Sequence, residues 1–217
     1  SIVGGDPATG THRLGFVGMS SVPGVPSMQV PVTDTLKWGT PGRVPFSVEF
    51  MPPRDDAAEK RLWDAAEAYH DLGASFVSVT YGAGGSSRTR TERVAARLAT
   101  KPLTTLLHLT LVQHTGDELR EILREFASLG LTNVLALRGD PPGNVNGELT
   151  PEPGGFSHAI ELIELIRSMP ECAQFEIGVA SFPEGHPHAP SLADDTRYTV
   201  DKLRAGAAYS ITQIFFD

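Results

Sequence analysis

An α/β fold made of repeated strand–helix units, either a (β/α)-barrel or a doubly wound parallel sheet, is predicted by three features of the sequence. Runs rich in Val, Ile, Leu and Phe recur about every 30 residues, as the buried strands of a parallel sheet do. Between them lie segments with apolar residues at helical spacing. Finally, Gly73-Ala74-Ser75-Phe76-Val77, Gly130-Leu131-Thr132-Asn133-Val134 and Gly206-Ala207-Ala208-Tyr209-Ser210 form a weak repeat in which a glycine ends a helix and a strand follows.

The first 45 residues stand apart from this pattern. They hold 14 of the 39 Gly and Pro residues and show no sustained apolar period. Residues 1–44 are read as an extension, flexible or wrapped on the surface from Ser1 to about Gln29, with a partner-binding arm as the alternative. Only Thr33 to Trp38 could make a short helical turn. The barrel-type domain is placed at 45–217.

Six strands follow in that domain: Phe46–Phe50, Phe76–Tyr81, Thr104–Thr110, Asn133–Arg138, Phe175–Phe182 and Tyr209–Phe216. After the first strand, Leu62, Ala65, Ala66, Tyr69 and Leu72 fall on one helical face. After the third, Leu119, Ile122, Leu123, Phe126 and Leu129 do the same, behind a capping box from Thr115 to Glu118 and before a stop at Gly130. A helix beginning at Ser157 ends before Pro170, and another opens at Ser191 with Asp194 and ends at Gly206. Periodicity alone does not separate a barrel from a doubly wound sheet. A closed barrel needs eight strands, so the natural protein is expected to continue past Asp217 by about two units. The alternative is that the N-terminal extension or a neighbouring copy covers the open edge.

The totals narrow the function. A net charge of −8 argues against a nucleic-acid partner. No apolar run approaches the roughly 20 residues needed to span a bilayer, no signal peptide is evident, and a cytoplasmic protein is expected. The single cysteine, Cys172, excludes an intramolecular disulfide and reads as a small packing residue. A homo-oligomer is left open.

Chemistry gathers where strands end. Glu49, Thr80, His108 with Thr110, Arg138-Gly139-Asp140, His186 and Gln213 all lie toward strand C-terminal ends, the ligand-binding edge of both α/β architectures. Strands end in solvent, which by itself collects polar residues there. Glu49 resists that explanation, because it lies between Val48 and Phe50 inside an apolar run. A carboxyl group so placed tends to hold its proton, as a general acid requires. Gly82-Ala83-Gly84-Gly85 lacks the spacing of a dinucleotide fingerprint and is a plain loop or a turn facing an anion. His186-Pro187-His188 lacks carboxylate or thiolate company, so no metal is expected.

At these residues the sequence resembles the methylenetetrahydrofolate reductase family. Phe46-Ser47-Val48-Glu49-Phe50-Met51-Pro52-Pro53-Arg54 is similar to the family's opening strand, usually Phe-Glu-Phe-Phe-Pro-Pro. Val77-Ser78-Val79-Thr80-Tyr81-Gly82-Ala83 with Arg88-Thr89-Arg90-Thr91, His108-Leu109-Thr110 and Leu137-Arg138-Gly139-Asp140 follow in family order. Pro183-Glu184-Gly185-His186-Pro187 and Ile211-Thr212-Gln213-Ile214-Phe215-Phe216-Asp217 complete the series. The resemblance implies a TIM (β/α)8 barrel with about six of its eight units present here, holding FAD at its C-terminal face. By position, Thr80, His108, Arg138, Gly139, Asp140, His186, Asp195 and Lys202 would contact the flavin. Glu49 would protonate a folate ring nitrogen, Asp140 would lie near flavin and pterin, and Gln213 would hydrogen-bond the pterin. The implied reaction is reduction of methylenetetrahydrofolate with hydride from NAD(P)H, nicotinamide and folate using the flavin in turn.

The family often has Tyr where this chain has Phe182, which removes a polar contact and predicts weaker flavin retention. Two alternatives stand beside the main reading. One is a folate reductase that binds flavin poorly and takes hydride directly from the nicotinamide; the other is a non-catalytic barrel fragment completed by a partner. The Gly/Pro-rich loop from Pro141 to Gly155 varies in the family and is hard to align.

Overall fold

A computed structural model describes residues 2–4, 29–36, 42, 44–81, 85–140 and 150–216; of residues 2–4 and 85–89 it describes the backbone. The expected six strands are present as β2 (Ser47–Phe50), β3 (Phe76–Val79), β4 (Thr105–Thr110), β5 (Asn133–Leu137), β6 (Glu176–Ser181) and β7 (Tyr209–Thr212). They pair parallel in sequence order. A doubly wound sheet reverses its strand order at a switch point. This sheet never reverses, so it is the curled wall of a partial TIM barrel, and the choice left open by periodicity is settled.

One strand was not expected. β1 (Ile2–Gly4) pairs antiparallel with β7, Ile2 opposite Ile211 and Gly4 opposite Tyr209. The N-terminal segment therefore lies against the sheet edge that the sequence left open. Most of the extension, and the loop at 82–84 and 141–149, fall outside the described residues.

Helices α2 (Asp56–Asp71), α3 (Gly85–Ala99), α4 (Gly116–Ser128), α5 (Ala159–Ser168) and α6 (Leu192–Arg204) cover the outside of the sheet. Their ends follow the signals read above. Thr115 and Glu118 exchange the two bonds of a capping box, Thr115 N to Glu118 Oε2 at 2.8 Å and Glu118 N to Thr115 Oγ1 at 3.2 Å. Asp194 N donates to Ser191 Oγ at 3.1 Å. The three repeat glycines, Gly73, Gly130 and Gly206, all take positive φ (81°, 75° and 126°), which explains why glycine recurs there. Leu72 departs from its expected face. It is the C-cap of α2 and is exposed. No described helix is long and apolar enough to cross a membrane.

Strand alternation sorts the core into two layers. Val77, Val79, Leu107, Leu109, Val134, Ala136, Ile177 and Val179 point outward and pack with the helices. Cys172 is fully buried there, and burial pushes its thiol up to about 11. Phe76, Leu106, Leu135 and Tyr209 point inward and form a second cluster.

That inner cluster is closed at the N-terminal mouth by residues 29–36, which carry the short helix α1 (Val32–Thr35). Val32 and Leu36 belong to the inner cluster. Gln29 Nε2 donates to Leu103 O (3.1 Å), and Gln29 Oε1 accepts from Thr105 N (2.8 Å). Asn133 Oδ1 accepts from Val32 N (3.1 Å), and its Nδ2 donates to Val30 O (3.0 Å). Glu176 accepts from the backbone and the hydroxyl of Thr33. This part of the extension is a plug, with buried side chains and satisfied backbone groups.

Candidate active site

The alternation that sorts the core also selects the site. On β2, Val48 and Phe50 pack against the outer core, so Glu49 belongs to the inner face. On β4, Leu106 is inward and Leu107 and Leu109 are outward, which puts His108 and Thr110 on the inner face with it. The same rule on β7 runs from Tyr209 and Ile211 to Gln213. On β4 and β7 polar side chains thus replace apolar ones on the inner face toward the C-terminal end.

Glu49, Thr80 and His108 come together across β2, β3 and β4. Thr80 Oγ1 donates to Glu49 Oε1 at 2.7 Å. His108 is buried, and burial pushes its pKa down while the Glu49 charge works in the opposite direction. Glu49 itself is exposed, contrary to the burial inferred from its apolar neighbours. The reason is positional: those neighbours face the other side of the sheet, and β2 is an edge strand paired only with β3 among the described residues. Ser78, the register partner of Glu49, is buried on the same inner face. Period-two counting along β3 could have singled it out.

A second group forms around the ends of β5 and β6. Lys202 Nζ donates to Ala180 O at 2.6 Å. Burial lowers the pKa of Lys202, and the carboxylate of buried Asp195 opposes the shift. His186 is lowered first by burial, then by neighbouring Arg138 and His188, with Asp195 opposing and Lys202 adding to the lowering. These residues therefore share one electrostatic environment. The His186 ring stands edge-on to Phe182 at 4.7 Å, and its Nδ1 accepts from His188 N at 3.0 Å. His186 and His188 stack edge-on at 5.4 Å, and among the described residues no third ligand-type side chain makes a metal site.

Gly139 has φ +83°, and a Cβ there would lie 2.5 Å from Val112 Cγ1. Only glycine fits, because Val112 and Thr110 pack where a side chain would begin. Asp140 is exposed beside it, and Gln213 is exposed past β7, its Oε1 accepting from Ile214 N at 3.3 Å. Among the described residues neither joins the two clusters. A surface cavity of about 450 Å³ lies elsewhere, between α2 and α3, lined by Glu59, Trp63 and Arg97 among others. Arg97 stacks 4.1 Å over the Trp63 ring and Arg93 pairs with Glu59, so these groups are already partnered on the helical layer.

Comparison with known proteins identifies the family. The methylenetetrahydrofolate reductase family model matches residues 36–217. The chain is 39% identical over 178 residues to the 5,10-methylenetetrahydrofolate reductases of Salmonella typhimurium and Escherichia coli, covering 81% of this chain and 56% of each relative. It is 36% identical over 197 residues to methylenetetrahydrofolate reductase (NADH) 1 of Arabidopsis thaliana, covering 86% of this chain and 33% of that one. It thus spans about half the length of the bacterial relatives, and less of the plant protein. A solved Clostridium thermocellum protein, described as binding two copies of 5-methyl-5,6,7,8-tetrahydrofolic acid, superposes with a TM-score of 0.52 at 12% identity. That match covers 81% of this chain and 56% of that one and speaks for the fold. With the family model spanning more than four fifths of its length, and more than a third of aligned residues identical to the bacterial proteins, this chain belongs to the methylenetetrahydrofolate reductase family.

Proposed function

We propose that the chain carries the reducing centre of a flavin-dependent enzyme that converts 5,10-methylenetetrahydrofolate to 5-methyltetrahydrofolate with hydride from NADH or NADPH. The observation that carries this reading is the Glu49–Thr80–His108 cluster, a carboxyl group held at 2.7 Å on the inner face where a barrel opens to its ligand. Glu49 is the residue to place a proton on the folate ring nitrogen, which opens the methylene bridge to an iminium able to accept hydride. Gln213 and Asp140, exposed at the same edge, are the groups to hold the pterin.

The residues present fit FAD. Arg138 and Lys202 bring positive charge suited to a diphosphate, with His186 and Gly139 proposed beside them as further contacts. His108, Asp140 and Asp195 are the further positions proposed to hold it. FAD supplies two-electron storage, which lets nicotinamide and folate react in turn. Phe182 favours one variant of this reading: its side chain has no hydroxyl and packs on His186, so retention of the flavin is expected to be weak. In the limit, hydride would pass directly from nicotinamide to folate.

An absorbance spectrum separates the two. Flavin-dependent protein is yellow and bleaches on adding NADH or NADPH; a colourless protein that reduces folate without added flavin selects direct transfer. Glu49→Gln is expected to slow the folate half-reaction by about 10²-fold or more and to leave flavin reduction by nicotinamide unchanged. Equal losses in both halves, measured by stopped flow, would remove Glu49 from the proton transfer.

A further inference from the structure

Thr80 is implied by family resemblance as a flavin contact, yet its hydroxyl is already committed to the protein. It donates to Glu49 Oε1 at 2.7 Å, while Thr80 N donates to Phe50 O at 3.0 Å. The two bonds tie the end of β3 to the end of β2 on both sides of Phe50. Their chemistry differs: the backbone bond extends the sheet, and the hydroxyl bond restrains a side chain.

Glu49 has need of such restraint. It sits exposed on an edge strand, and an unrestrained glutamate samples many rotamers. Threonine, being β-branched, holds its own χ1 narrowly and is a stiff donor. A hydroxyl on Oε1 leaves Oε2 for a proton and its acceptor. His108 on β4 feels the Glu49 charge, so the two groups share one electrostatic environment.

We infer that Thr80 is a positioning residue for Glu49: its hydroxyl fixes one carboxyl oxygen so that the other faces the folate nitrogen. The inference rests on Glu49 being the proton donor. It predicts a loss confined to the folate half of the reaction, because hydride transfer from nicotinamide to flavin uses no Glu49 proton.

The test compares Thr80→Val, Thr80→Ser and Glu49→Gln with the parent protein. In flavin-free protein labelled with 13C-glutamate, the Glu49 carboxylate stretch is isolated as the infrared difference from Glu49→Gln. Thr80→Val is expected to shift that band, and Thr80→Ser to restore it. In flavin-loaded protein, Thr80→Val is expected to lower kcat of the folate half-reaction about tenfold with little change in KM, the scale of one oriented hydrogen bond. Thr80→Ser should recover most of it, and flavin affinity and reduction by nicotinamide should stay at the parent's values. An unshifted band, or a Thr80→Val protein that loses flavin or slows in both halves alike, overturns the inference. Glu49→Gln slow beside Thr80→Val at the parental rate overturns the positioning role and leaves the proton-donor reading standing. Glu49→Gln at the parental rate overturns both.

Discussion

Gly178 on β6 and Tyr209 on β7 show how little room the barrel interior leaves. They are register partners, and a Cβ at Gly178 would come within 2.6 Å of Tyr209 Cε2 and 2.7 Å of Cζ. The ring cannot retreat, because it is fully buried in a cluster with Phe76, Leu106 and Leu135. Gly178→Ala is therefore expected to destabilise the fold by about 1–3 kcal/mol, the usual penalty of overpacking. A urea midpoint equal to the parent's would show that the interior is looser than described. His108 makes a second residue-level case, this time electrostatic. Burial lowers its folded pKa below the unfolded value of about 6.5. The unfolded chain then binds the proton first, so this stability is full above that value and is lost as pH falls toward the folded pKa. The Glu49 charge opposes the shift, and Glu49→Gln is expected to move the His108 titration, followed by proton NMR, to lower pH. A midpoint that stays or rises would mean the two groups do not interact.

Elements were legible in the sequence where their signals are local. The capping box of α4 takes four consecutive residues, Thr115 to Glu118, and the helix stops take one glycine each, so a linear reading finds both. The plug at 29–36 is the opposite case. Its bonds join Val32 to Asn133 across 101 positions and Thr33 to Glu176 across 143, and nothing in a Gly/Pro-rich stretch announces them. Asn133→Ala is expected to cost about 1–3 kcal/mol, because it strips Val30 O of its partner and leaves the buried Val32 N without one. Asn133→Ala that melts like the parent would place the plug outside the cooperative fold. The site divided along the same line. Which strand ends carry Glu49, Thr80, His108 and Arg138 was readable from local runs and resemblance, and the inner face followed once alternation was known. That Glu49 is exposed was not readable, since exposure of an inward residue depends on whether its strand has one neighbour or two.

At the scale of the whole molecule, one edge of the sheet is covered by β1 and the other is bare among the described residues. β1 lies along Tyr209–Ile211 of β7, while β2 pairs with β3 alone among the described residues. Beside the bare edge, Val44 is 84% and Met51 75% exposed; past the covered part of β7, Ile214 is 73% and Phe216 89% exposed. Leu192, Tyr198 and Leu203 add exposed apolar surface on α6. An unpaired strand edge offers donors and acceptors to another chain, and apolar side chains next to it make the encounter adhesive. These 217 residues, expressed by themselves, are expected to self-associate through the two flanks of the sheet. Sedimentation velocity should give a weight-average coefficient that climbs with protein concentration. Val44→Lys together with Phe216→Lys should flatten that climb without lowering the melting temperature, since both side chains are already in solvent. If the parent chain sediments as a monomer at every concentration, the exposed flanks are not adhesive and the edge argument fails. If the parent associates and the double variant associates equally, the contact lies elsewhere, with the outer face of α6 the next surface to charge.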